Sequence, residues 1–180
     1  LYDTGNYDAM YLAGLIADDA RMTKKDLQRW VDKAYAGSLP CATVPWVAAG
    51  SPHGHSMALK WIESPKNLGA AAGWATLCSL VALKDDRELD LPELKGLLQR
   101  VQRTIHQAPD VVRYEMNAFV IAVGSYVQPL TEFALQTGGK IGPVIADLGN
   151  NNCQVPFAPD YIRKVQQRGA IGKKRKTVKC

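Results

Sequence analysis

Apolar residues recur along most of this 180-residue chain with the spacing of α-helices. Leu27, Trp30, Val31 and Ala34 fall at i, i+3, i+4 and i+7, which places them on one face of a helix. Thr23 precedes that helix at the position of a side-chain cap. The pattern therefore predicts an all-α protein. Its other predicted helices cover residues 7–17, 44–48, 53–62, 67–84, 92–105, 111–127, 129–139 and 160–167.

The predicted helices group into about four consecutive pairs. Units of roughly forty residues built from two helices are typical of HEAT-like repeats, so the sequence predicts an α-α superhelix of such pairs. A compact irregular bundle is the alternative. Residues 1–141 form the predicted HEAT-like repeat domain, and residues 142–180 form an irregular extension with a short helix and a basic tail. Only residues 144–148 resemble a strand.

The amino-acid composition is typical of a globular protein and argues against a membrane protein or a zinc ribbon. The chain is 47% hydrophobic and 22% charged, as expected for a globular domain, and it contains no membrane-length apolar run. Cys41, Cys78, Cys153 and Cys180 are too widely spaced for a zinc ribbon. Free thiols fit a reducing compartment, so a cytoplasmic location is expected.

The positive charge is concentrated at one end. The net charge is +5, yet the first 160 residues alone carry a net charge of −3. The final twenty residues hold eight Lys or Arg and no acid, including the run Lys173, Lys174, Arg175 and Lys176. Such a run predicts contact with a polyanion, most often nucleic acid. The alternative is a solvated, disordered end.

Further basic side chains follow one helix face. Lys25, Arg29 and Lys33 lie four residues apart, so they form a stripe that can contact phosphates. A solvated helix face is the alternative. Among the aromatic residues, Trp46 follows a proline in an irregular stretch and is the best exposed candidate for stacking on a base. Trp30 and Trp74 are expected in the core.

One polar cluster stands at the start of an otherwise apolar helix. It contains Arg113, Tyr114 and Glu115, of which the first two are candidates for nucleic-acid contact. Glu115 is the candidate catalytic residue, because a carboxylate can stabilise a cation or activate water. The alternative role is a favourable interaction with the helix dipole. His53 and His55 lack a third ligand at suitable spacing, so neither a metal nor a cofactor is expected.

Several segments resemble one protein family. They are YDAMYLAGLIAD at residues 7–18, MTKKDLQRWV at 22–31, RYEMN at 113–117, CQVP at 153–156 and GKKRKT at 172–177. These segments resemble the bacterial DNA alkylation repair proteins, the AlkD-like DNA glycosylases. The resemblance covers nearly the whole chain, and it implies that the extra N-terminal helices of the family are missing from this sequence.

The resemblance implies a HEAT-like stack that grips double-stranded DNA. The best-known members excise N3- or N7-alkylated purines without a metal. Their Trp and Asp, one helical turn apart, have no counterpart in LGAAAGW at residues 68–74, and Ile121 occupies the place of their Arg. No catalytic residue is therefore carried over. Two functions follow: a DNA-binding repair protein, with glycosylase activity on alkylated DNA as its chemistry, or a non-catalytic scaffold that binds nucleic acid or protein.

Overall fold

A computed structural model describes residues 1–147, 149 and 154–179 of the chain, and every regular element among them is helical. The α-helices lie within a few residues of their predicted positions. Residues 144–147, the described part of the predicted strand, have no regular structure. The helices are α1 (Tyr7–Ile16), α2 (Lys24–Lys33), α3 (Val44–Gly50), α4 (Gly54–Trp61), α5 (Asn67–Leu83), α6 (Leu91–Thr104), α7 (Asp110–Tyr126), α8 (Thr131–Ile141) and α9 (Ala158–Gln167).

Local sequence signals fix several helix ends. The Thr23 hydroxyl accepts from the Asp26 amide at 3.1 Å, and the Asp26 carboxylate accepts from the Thr23 amide at 3.2 Å. This reciprocal capping box begins α2 as the sequence predicts. The hydrogen bonds to Asp26, first that from the Thr23 hydroxyl, lower the pKa of its carboxyl. Near Pro40, residues Leu39–Thr43 form one π-helical turn that leads into α3.

The chain divides into two compact units. Unit 1 comprises residues 1–80 and 177–180, unit 2 comprises residues 81–176, and their boundary falls inside α5. The predicted domain boundary at residues 141 and 142 stays a prediction.

Unit 1 is built around aromatic side chains. The rings of Tyr2 and Trp30 stack with centroids 3.9 Å apart, and the Tyr2 hydroxyl donates to the Trp30 carbonyl. Trp61 and Leu27 are fully buried in the same cluster. Gly73 of α5 meets the backbone of α4 and the residue after it, so small residues allow close helix contact as the sequence predicts.

Unit 2 is organised by α7. This helix packs against both α8 and α9, and Phe119 and Val120 at its centre are fully buried. Gly124 lies against Ile162 of α9 and Ala134 of α8. The Asn117 side-chain amide donates to the Pro156 carbonyl at 2.9 Å, which attaches the segment before α9 to α7.

No single helix in the described part of the chain is long and apolar enough to cross a membrane. Among the described residues, one pair of helical segments reaches the required length and composition together, Asp110–Tyr126 with Gln128–Ile141, and it is bent by 114°.

Two glycine substitutions test how closely the helices pack. A β-carbon at position 73 would lie 2.6 Å from the backbone nitrogen of Ile62 and 3.0 Å from the Ala58 carbonyl oxygen. Gly73→Ala therefore forces backbone movement, and we expect it to cost about 1–3 kcal/mol. Gly96→Ala meets nothing within 4 Å on α6, so it gains helix propensity and about 0.5–1 kcal/mol. Urea unfolding of both variants measures the difference, and equal effects would contradict close packing at Gly73.

Candidate nucleic-acid interface

A pocket of about 470 Å³ opens on unit 2 between α7, α9 and the basic tail. One face of α7 supplies one wall, because Tyr114, Ala118, Ile121 and Ser125 recur at helical spacing. Tyr161, Val165 and Arg168 recur in the same way on α9. Ala122, Tyr126, Pro156, Ala170, Lys173 and Arg175 complete the lining.

The pocket combines aromatic and cationic side chains. Three tyrosines line it, and Arg168, Lys173 and Arg175 stand exposed at its border. None of the described residues that line it is an Asp or a Glu. Its lining is therefore positively charged, with flat aromatic surfaces beside the cations.

Ser125 adds an unusual polar group to this lining. The residue is 4% exposed, and its buried hydroxyl oxygen has no hydrogen-bond partner among the described residues. Its backbone carbonyl is occupied, since it accepts from the Gly172 amide at 2.9 Å. An unpartnered buried hydroxyl is unfavourable, so a hydrogen bond to a polar group would relieve that cost.

The basic tail of unit 2 caps a helix. The Lys174 amino group donates to the Val81 carbonyl at 2.9 Å, and the Arg175 amide donates to the Ala82 carbonyl at 2.8 Å. Both acceptors belong to the last turn of α5, whose carbonyls have no partner within the helix. Lys174 also forms an ion pair with Asp86 at 2.8 Å. The alternative of a disordered tail is therefore wrong for these residues.

The four basic residues of the run have different surroundings. Lys174 is held by Asp86 and the end of α5, so it is not available to a ligand. Lys173, Arg175 and Lys176 have exposed side chains, and the first two reach the pocket. Nucleic-acid contact by these four residues stays a prediction, and Lys174 is the one whose amino group is already engaged within the protein.

The chain end is also held within unit 1. Val178 is buried, and the Lys179 amino group donates to Asp19 at 2.8 Å and to the Ala17 carbonyl at 3.1 Å. Burial raises the pKa of the Asp19 carboxyl, and the hydrogen bond from Lys179 opposes that rise. Lys179 therefore serves the structure of unit 1.

The predicted stripe on α2 borders a groove of about 690 Å³ in unit 1. Lys25 is exposed and has no ion-pair partner among the described residues. Arg29 and Lys33 approach Asp3 at 3.4 and 2.7 Å, so part of their charge is neutralised. The hydrogen bond from Lys33, together with the charge of Arg29, lowers the pKa of the Asp3 carboxyl. Lys24 and Lys60 add two exposed cations to the groove.

Trp46 corrects one sequence-based expectation. It was expected to be exposed, but it is only 8% exposed, and its ring meets Tyr11 edge to face at a centroid distance of 5.7 Å. The apolar residues of α3 are buried almost without exception, which draws Trp46 into the core. Trp30 and Trp74 are buried as predicted.

The polar cluster at residues 113–115 separates into three roles. The Arg113 guanidinium donates to the carbonyls of Ala108 and Ile145, at 2.8 and 2.6 Å, which makes it a brace between segments. Tyr114 lines the pocket. Glu115 is buried at 7% exposed and does not line the pocket. Asp110, rather than Glu115, occupies the first turn of α7.

Metal ligands do not converge in the described part of the chain. It contains no group of three or more His, Cys, Asp or Glu side chains placed to hold a metal ion. Cys41 and Cys78 are partly buried, whereas Cys153 and Cys180 lie outside the described residues.

Comparison with known proteins gives the relatives of the chain. The uncharacterized proteins Lin0241 of Listeria innocua and Lmo0209 of Listeria monocytogenes are each 30% identical over 170 residues, which cover 93% of this chain and 72% of the relative. No family model matches the chain. One solved structure superposes with a TM-score of 0.93 at 36% identity, over 100% of this chain and 77% of the other. That structure is described as a new family related to the HEAT-like repeat DNA glycosylases, with affinity for branched DNA structures.

The chain belongs to this glycosylase-related HEAT-like family. The predicted HEAT-like repeat fold is therefore confirmed. The resemblance to alkylation repair proteins is confirmed at the level of a HEAT-like fold related to DNA glycosylases, without reaching the AlkD-like enzymes themselves.

Two residues of the pocket in this family member were not predicted from the sequence. Tyr161 and Ser125 were not proposed as binding residues. The signal for Tyr161 is its i, i+4, i+7 spacing with Val165 and Arg168, which puts an aromatic ring and a cation on one face of α9. Ser125 carries no such signal, because its missing hydrogen bond is visible only after the fold is known.

The helix-capping role of the tail is testable by unfolding. Lys174→Met keeps the apolar stem but removes the donor to Val81 and the partner of Asp86, and we expect a loss of about 1–3 kcal/mol. Lys176→Met is the matched control, since an exposed substitution changes stability within about 0.5 kcal/mol. Urea titrations compare the two variants. Equal stability of both would contradict the ordered tail.

Proposed function

We propose that this chain binds branched DNA and does not cleave glycosidic bonds. The observation that carries the proposal is the unit 2 pocket, in which tyrosines and cations meet without a carboxylate in the described lining. Cations bind phosphates, and aromatic rings bind exposed bases. Affinity for branched DNA structures, stated for the related solved structure, supports this choice of DNA form.

Phosphate contact rests on the three exposed cations of the pocket. Arg168 extends from the end of α9, while Lys173 and Arg175 extend from the capped tail. The backbone contacts around them hold the tail in place, so less conformational entropy is lost when these side chains bind a ligand. Each phosphate contact releases counterions and makes affinity dependent on salt.

The groove of unit 1 offers a second cationic surface. Lys24, Lys25 and Lys60 are its exposed cations without a carboxylate partner among the described residues. Arg29 and Lys33 contribute less, because Asp3 holds both. Lys25 is thus the member of the predicted stripe best suited to contact a phosphate.

Excision of a base needs a group that stabilises the cationic sugar. Glu115 was the candidate for this role, but it is buried outside the pocket lining. Ile121, at the place of the arginine in the glycosylases, presents only an apolar side chain to the pocket. The arrangement therefore supports binding, and the described lining of the pocket offers no carboxylate for glycosidic chemistry. A cytoplasmic location and recognition of alkylated duplex DNA stay predictions.

Removal of the pocket cations tests the proposal directly. In the variant Arg168→Gln, Lys173→Gln, Arg175→Gln we expect weaker binding to a four-way junction. We also expect the slope of log affinity against log salt to fall by about one per lost contact. Fluorescence anisotropy over a salt series measures both quantities.

The matched control removes the same charge elsewhere on unit 2. Arg87→Gln, Arg103→Gln, Lys140→Gln changes three exposed cations outside the pocket. Equal losses in the two triple variants would show that only net charge matters. Equal affinity of the native chain for the junction and for a linear duplex of the same length would contradict a preference for branched DNA.

Base release separates binding from catalysis. When the protein is incubated with methylated duplex DNA, we expect no 3-methyladenine or 7-methylguanine above the level without protein, because no described carboxylate lines the pocket. Chromatography of the supernatant measures the free bases. Release that is abolished by Glu115→Gln would overturn the non-catalytic proposal and establish a glycosylase.

A further inference from the structure

We propose that the unit 2 pocket captures one unpaired nucleotide of branched DNA, with its base against the tyrosines and its phosphate against the border cations. This inference rests on the proposed function and specifies what the same site recognises.

The size of the pocket indicates a single nucleotide. A volume of about 470 Å³ falls within the range of about 300–1,000 Å³ that encloses small-molecule ligands. A segment of duplex does not fit in such a volume, whereas a base and its sugar do. The occupant must therefore project from the rest of the DNA.

The surfaces of the pocket suit a nucleobase. Tyr161 is 48% exposed although it is large and aromatic, so its ring is accessible to a ligand. Tyr114 and Tyr126 border the same pocket from α7, and Ile121 and Val165 provide apolar surface near them. Stacking on aromatic side chains accepts any base, because every base has a π-face.

Ser125 supplies an independent reason to expect a polar ligand. Ser125 lines the pocket, and its buried hydroxyl has no hydrogen-bond partner among the described residues. The edge of a base carries donors and acceptors that can satisfy such a group, and an aliphatic ligand cannot. The unpaired hydroxyl and the tyrosines together therefore favour a heteroaromatic ligand.

The position of the cations indicates that the phosphate of the nucleotide would lie at the border of the pocket rather than inside it. Arg168, Lys173 and Arg175 are exposed at the border, where a phosphate attached to an enclosed base would remain in contact with water. A branch point supplies the nucleotide at low cost, because a base that is already unpaired needs little energy to leave the stack. Capture at the branch would thereby explain a preference for branched over linear DNA.

Two DNA probes that differ by one base test the inference. Both are three-way junctions with one unpaired position at the branch, occupied by thymidine in one probe and by an abasic tetrahydrofuran in the other. The phosphates are identical, so only the base differs. We expect about tenfold tighter binding of the thymidine probe in anisotropy titrations, as one base–aromatic stack provides.

Variants of the protein test whether the difference in affinity between the two probes arises in the pocket. Tyr161→Ala should reduce the tenfold ratio to about one while leaving affinity for the abasic probe unchanged, and Tyr161→Phe should keep the ratio. Ser125→Ala should lower the ratio without lowering the melting temperature, because the hydroxyl has no partner to lose. Tyr35→Ala is the matched control, since Tyr35 is an exposed tyrosine of unit 1.

The outcomes distinguish this inference from the proposed function. Equal affinity of the native chain for both probes, with a retained preference for junction over duplex, overturns base capture and leaves branched-DNA binding intact. An equal loss for both probes in Tyr161→Ala also overturns it. If the native chain binds neither probe better than linear duplex, the proposed function fails, and base capture fails with it. The probe comparison uses the native protein, so it stands even if a variant fails to fold.

Discussion

The contact at Gly124 determines the geometry of unit 2. Because Gly124 has no side chain, α7 can approach Ile162 of α9 and Ala134 of α8 closely. A β-carbon added to Gly124 would lie 3.1 Å from the β-carbon of Ala134. Ile162 is fully buried at this contact, within a closely packed interior. The position of α9 therefore follows from this contact. Tyr161, Val165 and Arg168 take their places beside α7 as a consequence.

A single helix serves both the core and the pocket. Phe119, Val120 and Val123 of α7 are fully buried, while Tyr114, Ala118 and Ile121 of the same helix border the pocket. Asn117 stands between these roles, since its amide holds the Pro156 carbonyl and so positions the segment that enters α9. The core and the pocket thus share one rigid element, so little conformational freedom would be lost if a ligand bound there.

The sequence predicted the helices well because their signals are local. The cap at Thr23, the apolar stripe of α2 and the small residues before Trp74 each act within a few residues of the chain. The exposure and the ion pairs of the site residues were harder to predict, because they depend on side chains that lie far away in the sequence. Lys174 and Lys176 are alike in sequence, yet one is bound to Asp86 and the other is exposed. The expected exposure of Trp46 was wrong for the same reason, since the Tyr11 ring that contacts it belongs to another helix.

The catalytic residue and the extent of the cationic surface were the features hardest to predict from the sequence. Glu115 lies next to Tyr114 in sequence, but adjacent residues on a helix point about 100° apart, so one faces the pocket and the other is buried. Charge counted along the chain also overstated the cationic surface, because Asp3 and Asp86 neutralise several basic side chains.

The cap on α5 has a consequence for biosynthesis. Lys174 and its acceptor Val81 are separated by 93 positions, so translation produces the helix end long before the residues that satisfy it. On a nascent polypeptide those carbonyls remain hydrated, and closing so long a loop makes completion of the cap a late, entropically costly event. The cap is therefore completed only after Lys174 and Arg175 have been synthesised, even though each helix within this region is encoded locally.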